Sequence, residues 1–534
     1  SRGLGDVYKR QAMQLFEDGD VLLVSVTVGD HGTAVMLARE DFGLRGDVRS
    51  DSACVLPLTE AMMAFDGLRF MRDPTRGGVA SVAHEIARAT GHGVRLEPGI
   101  PVVGAVESVC EMLGYDPLYL AGAGRVSAGV APARADEALV AGLLSPSAFE
   151  HEASRVELVE THSSWLILTE EYAYKLKKPQ VLEFLDFGDL DKRRHFCEEE
   201  VRLNKPHAPA LYIDVVPVTM FEGQPRFGGS GKAVEYAVRM RRFDQSLRLD
   251  RQLEDGVLTA ADMRELAFAI AERHRSAHRV DAGHKSRVLR LTREFMLDNF
   301  RALDGHIDAK VLGPLRRWTE SELEKHAALL ADRFDAGKVR DCHGDLHLGN
   351  LVRLDGRITT FDCIEFDPDL RHIDVMADIA FLVMDLVERA HSALAAHFLN
   401  RYLEATGDYA GIAVLNLFFV YRCLVRAKVA VIRAAGREDD GTQDLEEARQ
   451  YCDIATRQAA PRRPVLLLMH GFSGSGKTRV STELMAALPA IRLRSDVERK
   501  RLFGLDATAS SESDVGAGIY SGAADDRVYS WLLE

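Results

Sequence analysis

Three residues near the middle of the chain have the types and spacing to manage a phosphoryl group. Asp345 and Asn350, with four residues between them, lie in the run CHGDLHLGN (Cys342–Asn350), and Asp362 closes the run RITTFD. Phosphoryl transfer asks little covalent chemistry of a protein. It needs a carboxylate to receive and orient the acceptor hydroxyl, and oxygen ligands that hold Mg²⁺ against nucleotide phosphates. An Asp-x-x-x-x-Asn loop followed by a strand-end Asp supplies groups of these types. An isolated His-Gly-Asp tripeptide reads as a polar turn, so the weight falls on what accompanies it. His343 and His347 stand four apart, as zinc ligands on one helix face do, but Gly344 and Gly349 mark a loop and argue against zinc.

Other elements must supply a positive grip for the phosphates. RVELVETHSSWLILTEEYAYKLKKP reads as strands that turn near Glu170 and Glu171. Side chains alternate along a strand, so Ala173, Lys175 and Lys177 share one face, which is either a solvated edge or the wall of a cleft. LDKRRHFCEEEVRLNK follows with helical periodicity, placing Phe196, Glu200 and Leu203 on one side and a carboxylate among apolar residues. VEYAVRMRRF (Val234–Phe243) reads as a strand running into a largely helical region, a hinge between two lobes. The later run NLFFVYRCLVRAKVAVIRAAG, with Arg422, Arg426 and Lys428, is an amphipathic helix better suited to packing in a lobe than to a membrane or nucleic acid.

This ordered set of strand lysine, helix glutamate, hinge, Asp-x-x-x-x-Asn and strand-end Asp, extended by FDCIEFDPDLRHIDVMADIAFLVMDL, resembles the aminoglycoside phosphotransferase family. The resemblance implies a protein-kinase-like two-lobed domain, with an N-lobe over 155–243 and a C-lobe over 244–459. It implies that Asp345 is the catalytic base with His343 supporting its loop, and that Asn350 and Asp362 bind Mg²⁺. Lys175, paired with Glu200, would grip the α/β-phosphates of ATP. Spacing leaves Lys177 a rival for Lys175 and Glu199 a rival for Glu200. ETHSSW stands where relatives carry a glycine-rich loop.

A second phosphate motif follows the linker APRRP. GFSGSGKT, Gly471 to Thr478, fits GxxxxGK[ST], and the apolar run VLLLM before it reads as a buried strand. In such a loop the backbone N–H groups freed by Gly471, Gly474 and Gly476 wrap the phosphates, Lys477 neutralises their charge and the Thr478 hydroxyl reaches Mg²⁺. AIRLRSDVERKRLFG then places Asp496 after a second short strand. The segment 464–534 resembles P-loop small-molecule kinases, which implies that Asp496 activates an acceptor hydroxyl and Arg499 binds substrate or phosphate; a helix-capping role is the plainer reading of Asp496. The segment is shorter than a complete doubly wound sheet requires, so it is expected to be partial.

Toward the other end, GDVLLVSVTVGDHGTAVMLARE gives a strand, a turn at Gly29–Gly32 and a helix beginning near Thr33. MRDPTRGGVASVAHEIARA gives a second turn and a helix carrying Val79, Val82 and Ile86. Gly77 and Gly78 either present backbone N–H groups to an anion or merely permit the turn, with Asp73 as the cap. With LGYDPLYLAGAGR, these stretches resemble the C-terminal half of HypE-type hydrogenase maturation proteins, relatives of aminoimidazole ribonucleotide synthetase. That family uses ATP to dehydrate a carbamoyl group on its own C-terminal cysteine. Here the chain runs from Leu143 into LSPSAFEHEASRVELVE, and Ala123-Gly124 stands where the family has Glu-Gly, so segment 12–143 is expected to need a maturation partner or to dimerise. Residues 1–11, SRGLGDVYKRQ, resemble a cloning remnant.

Bulk properties bound these readings. A chain of 534 residues exceeds one hydrophobic core. A formal charge of -14 disfavours a broad nucleic-acid face. The seven cysteines form no CxxC pair, which suits free thiols in a reducing compartment, and the cytoplasm is the expected location. No apolar run has the length of a membrane span. The expectation is therefore a multidomain α/β and α+β protein. It comprises a HypE/AIR-synthase-like C-terminal α+β domain, a protein-kinase-like two-lobed domain and a partial P-loop NTPase α/β domain. Its activity would be ATP- and Mg²⁺-dependent phosphorylation of a small-molecule hydroxyl; a hydrogenase maturation factor and a non-catalytic nucleotide sensor are the alternatives.

Overall fold

The computed structural model describes residues 20–533 apart from 26, 40–47, 49, 51, 56–58, 60–61, 64–67, 76, 92, 96–99, 101, 123–126, 131, 162, 183–184, 436–440, 462, 473, 489 and 506–517. SRGLGDVYKRQ, Ala123-Gly124 and Ser473 of the phosphate motif lie outside the described residues. The chain forms two compact units, Ser1–Val201 with Ile213–Arg242, and Arg202–Tyr212 with Phe243–Glu534.

The first unit opens with β1 (Val21–Val24), α1 (Asp30–Arg39), β2 (Leu68–Arg72), α2 (Gly78–Thr90), α3 (Gly104–Leu113), β3 (Ser127–Val130) and α4 (Pro132–Leu143). The three strands form an antiparallel sheet in the order β1-β3-β2. α1 begins at Asp30, three residues before the expected start. Gly29 turns the chain at a φ of 84°, and its carbonyl accepts both the backbone N–H of Thr33 at 3.0 Å and its hydroxyl at 2.8 Å, closing the first turn early. Asp73 is not the cap of α2. That helix starts on Gly77, which has a φ of 75° and no side-chain cap. Gly78, also left-handed, lies so close to the carbonyls of Leu118 and Leu120 that a Cβ would collide with them.

A six-stranded sheet follows, built from β4 (Glu157–Glu160), β5 (Ser164–Leu168), β6 (Tyr172–Lys177), β9 (Tyr212–Phe221), β10 (Gln224–Phe227) and β11 (Ala233–Arg241) in the order β10-β9-β11-β6-β5-β4. A small hairpin of β7 (Val181–Leu182) and β8 (Leu185–Asp186), then α5 (Leu190–Asn204), connect β6 to β9. Val140 and Leu143 of α4 belong to the same apolar cluster as Trp165, Ile167 and Leu176 of this sheet. The segment 132–143 therefore shares a core with the strands that follow it.

The second unit is mostly helical: α6 (Leu249–Glu254), α7 (Ala260–Ser276), α8 (Lys285–Leu303), α9 (Ala309–Lys325) and α10 (Ala327–Asp335) precede β12 (Val339–Asp341), β13 (Leu351–Leu354), β14 (Arg357–Thr360) and β15 (His372–Asp374). Then come α11 (Val375–Glu388), α12 (Ser392–Thr406), α13 (Ile412–Ala435) and α14 (Thr442–Ala459), followed by α15 (Lys477–Ala487), α16 (Ser495–Leu502) and α17 (Gly522–Leu533). By length and composition α13 could cross a bilayer. Its Leu417, Phe418, Val420 and Leu424 instead lie in the unit's main apolar core with Phe381 and Met384 of α11.

The expected strand Val465–Met469 does not form, nor does the one before Asp496. Val465, Leu466 and Leu468 are 79%, 80% and 82% exposed. A buried strand needs neighbours to take its backbone hydrogen bonds, and the described part of 464–533 contains no strand to pair with it.

Within the second unit, Arg333 is a 4%-exposed bridge. Its guanidinium donates to both oxygens of Asp374 at 2.7 Å and to both of Asp408 at 2.8 and 2.9 Å. Arg333→Met would leave two buried carboxylates without their shared counter-ion. The variant is expected to lose about 3–5 kcal/mol of unfolding free energy in urea titration of the full chain; a loss below 1 kcal/mol would mean that the bridge is dispensable.

Candidate active site

In the second unit, β12 pairs antiparallel with β15 and delivers Cys342 into the loop that carries Asp345. A short 3₁₀ turn, Leu348–Asn350, leads into the β13–β14 hairpin. The hairpin turns on Asp355-Gly356, whose φ angles of 49° and 75° are the pair that a tight two-residue turn demands. Beyond the last β13–β14 pair, the Phe361 N–H donates to the Asn350 carbonyl at 3.0 Å, which brings Asn350 beside the residue preceding Asp362. Asp362 has a φ of 60°, a conformation non-glycine residues seldom adopt unless their surroundings impose it. Those surroundings are visible. The Asp362 N–H donates to the Tyr212 hydroxyl at 3.1 Å and the next N–H, of Cys363, to Asn204 Oδ1 at 3.0 Å.

Asn350 Nδ2 donates to both the carbonyl and Oδ2 of Asp345, each at 3.0 Å. The amide is thereby oriented, with its nitrogen committed inward and its oxygen available to a hard cation. His347 Nδ1 accepts the Gly349 N–H at 3.1 Å, so its proton sits on Nε2, 3.3 Å from the same Asp345 oxygen. Burial alone would raise the Asp345 pKa, but the charge and hydrogen bond of His347 overcome it and hold the carboxyl below its usual range. For His347 burial opposes the charged form, and the facing Asp345 carboxylate nonetheless raises its pKa.

His343 does not face the reacting space. It is fully buried, and its ring links two strands of the loop: Nε2 lies 2.9 Å from the Phe361 carbonyl and Nδ1 accepts the Asp345 N–H at 3.3 Å. That pattern requires a neutral ring, and burial, aided by nearby Arg273, lowers its pKa to about 4.

The sequence reading missed what holds this loop. Asp378, fully buried on α11, accepts the backbone N–H of His343 at 3.2 Å and of Gly344 at 2.9 Å, and His274 Nε2 lies 3.0 Å away. Two turns along the same helix, Asp385 accepts the Leu348 N–H at 2.8 Å and the Arg389 guanidinium at 2.9 Å. Their spacing of seven puts them on one helix face. Two aspartates inside the apolar run DVMADIAFLVMDL were the available signal, because a carboxylate in such a run is buried only if it has partners.

In the first unit, Lys175 and Lys177 on β6 both reach Glu200 of α5, at 2.9 Å to Oε1 and 2.8 Å to Oε2. The solvated-edge reading of these lysines is excluded, since Lys177 and Glu200 are fully buried and the Lys175 side chain is 13% exposed. Burial would raise the Glu200 pKa, but the two ammonium groups together push it well below the usual carboxylate range. Lys177 also lies 5.0 Å from the centre of the Phe187 ring, leaving Lys175 as the more accessible of the two.

The GFSGSGKT loop is also a glycine-shaped turn. Gly474 and Gly476 have φ angles of 77° and 86°, and Gly471 one of 150°. Lys477 opens α15 and folds back onto the carbonyls of Gly471 and Phe472, with Thr478 beside it in the first turn. Asp496 lies in the first turn of α16, whose cap position is Arg494, so it is no N-cap; it accepts the Tyr520 hydroxyl at 2.8 Å. Arg499 is buried, donating to the Ile519 carbonyl at 2.9 Å and pairing with Asp525 at 2.5 Å.

Comparison with known proteins gives three separate family matches. Residues 17–145 match the AIR synthase related protein C-terminal domain, 240–415 the phosphotransferase enzyme family and 466–534 an AAA domain. An uncharacterized protein of Mycobacterium tuberculosis is 28% identical over 386 residues, covering 71% of this chain and 74% of the relative. The carbamoyl dehydratase HypE of Escherichia coli is 44% identical over 129 residues, covering 24% of this chain and 38% of its own length. Among solved structures, a choline/ethanolamine kinase family protein from Mesorhizobium loti aligns at 11% identity over 61% of this chain and 97% of its own, with a TM-score of 0.36. The chain thus joins a HypE-like part, a phosphotransferase-family kinase-like part and an AAA-domain-like part in one polypeptide.

Proposed function

We propose that the chain is an ATP- and Mg²⁺-dependent phosphotransferase acting on a small-molecule hydroxyl. The observation that carries this reading is the Asn350 side chain bound to Asp345 by its nitrogen, which leaves an oxygen ligand next to a carboxylate base. Asp345 would receive the acceptor hydroxyl on Oδ1, because Oδ2 is taken by Asn350 and His347. Its low pKa favours orientation of the hydroxyl over deep proton abstraction, in keeping with a transfer that needs positioning more than basicity. Asn350 and Asp362 offer the hard oxygen donors that Mg²⁺ prefers. Bound with ATP, the ion would neutralise the charge of the phosphates. Lys175 would contact the α/β-phosphates, and Glu200, held also by Lys177, would fix its position. His343 acts as a positioning residue. In the third part, Gly471, Gly474, Gly476, Lys477 and Thr478 would hold a second nucleotide; Asp496 and Arg499 are weaker candidates there, because both are engaged by Tyr520, Ile519 and Asp525.

The 44% identity of the first part favours a second reading, in which this part serves hydrogenase maturation. The match spans 38% of that relative's length.

In a screen of hydroxylated metabolites with ATP and Mg²⁺, Asp345→Ala is expected to lower acceptor-dependent ADP formation by about 10²–10⁴-fold. Unchanged turnover would defeat the kinase reading and favour nucleotide sensing. The pH dependence follows from the directions of the shifts. Asp345 is held below the usual range and His343 is neutral down to about 4, so neither changes protonation between pH 7 and pH 5. His347, raised by Asp345, becomes more fully protonated as pH falls, which strengthens its ion pair with Asp345. The kcat profile is therefore expected to lack an acid limb in that interval; an acid limb near the ordinary histidine pKa, abolished in His343→Gln and kept in His347→Gln, would show that His343 carries the transferred proton.

A further inference from the structure

A cavity of about 830 Å³ in the second unit lies between α7, α12 and the first residues of α16. Seven basic side chains line it against three carboxylates. The carboxylates are already engaged: Glu272 by Arg275, Glu404 by Arg401 and Arg492, and Asp408 by Arg333, with Lys338 at 3.6 Å. Arg340 donates only to backbone carbonyls, those of Gly337, Arg275 and Ala277. Burial, with Arg279 nearby, lowers its pKa, as expected where positive charge is under-compensated. Among the described residues, Arg264 on α7 and Arg494 at the start of α16 have no ion pair, and both line the cavity. The remaining wall is apolar, with Phe268 52% exposed beside Val375, Val497 and Leu505.

We propose that this cavity is a binding site for a phosphorylated small molecule, separate from both phosphate sites described above. Its anionic end would sit against Arg264, Arg340 and Arg494 and its organic body against Phe268. The volume falls within the range of roughly 300–1,000 Å³ typical of ligand pockets. Multiple guanidinium forks facing a low-dielectric wall are suited to phosphate, because each fork can place two parallel hydrogen bonds on a pair of its oxygens. Carboxylate ligands offer fewer oxygens for so many donors. The site also touches the support of the Asp345 loop. His274 and Tyr402 line it, their side chains lie 2.7 Å apart, and His274 in turn meets Asp378. An occupant would therefore press on the residues that hold the amides of His343 and Gly344.

The test uses inorganic tripolyphosphate, titrated calorimetrically into the full chain. Arg264→Glu and Arg494→Glu, on different elements, are each expected to weaken binding at least tenfold, whereas Lys477→Ala and Asp362→Ala leave a binding event of unchanged affinity. Arg264→Gln and Arg494→Gln keep the size and polarity of the side chain and guard against misfolding; both should weaken binding in the same direction. Absence of binding, binding indifferent to both arginines, or binding that vanishes with Lys477→Ala would overturn the proposal, the last by assigning it to the GFSGSGKT loop.

Discussion

The arrangement around Asp345 depends on one buried ion, the carboxylate of Asp378. A carboxylate taken out of water is tolerated only when its oxygens are well supplied with donors. Asp378 receives two backbone N–H groups from the loop and faces His274, and although burial opposes its ionisation the hydrogen bond and charge of His274 hold its pKa below the usual range. The dependence runs both ways: the loop amides gain a fixed acceptor, and the acid gains the donors that let it remain ionised. Because the bonds go to backbone groups, α11 fixes the path of the chain at His343 and Gly344, and the buried His343 ring carries it on to the Asp345 N–H.

The same logic recurs through both units. Glu200 is ionised in the interior because two lysines reach it, Asp374 and Asp408 share the fork of Arg333, and Asp385 takes hydrogen bonds from Leu348 and Arg389. Removing one partner from such a set leaves a buried charge exposed to the full desolvation penalty, so each set constrains geometry more than its net stabilisation alone would require. Near Asp345 and Asn350, Asp378 stays ionised and the His343 ring stays neutral at neutral pH, while the Asp345 carboxylate holds the His347 pKa above its ordinary value.

Much of the candidate site was legible because its residues are close in sequence and chemically unusual. Asp345, Asn350 and Asp362 stand within a short polar stretch, and period-two alternation on β6 was enough to put Lys175 and Lys177 on one face. Periodicity could not choose between them, and the structure shows why: both lysines share Glu200, one through each oxygen. Asp378 and Asp385 carried one signal, their place inside an apolar run, but not which loop they support, because the groups they hold there are backbone amides, which carry no sequence signal. Val465–Met469 failed for a different reason. Its composition is that of a buried strand, but strand formation is a property of pairs, and the described residues around it supply no second strand. The helix α1 began early because a glycine carbonyl, not a side-chain cap, closes its first turn.

The central claim is that Asn350 and Asp362 hold the metal of a nucleotide beside Asp345. Manganese can stand in for magnesium at oxygen sites and reports its own binding by electron paramagnetic resonance. In the Lys477→Ala chain, which removes the lysine of the other phosphate loop, ATP should create a manganese site that Asp362→Ala abolishes and Asp496→Ala leaves intact. An ATP-dependent manganese signal of equal affinity in Asp362→Ala would contradict the account.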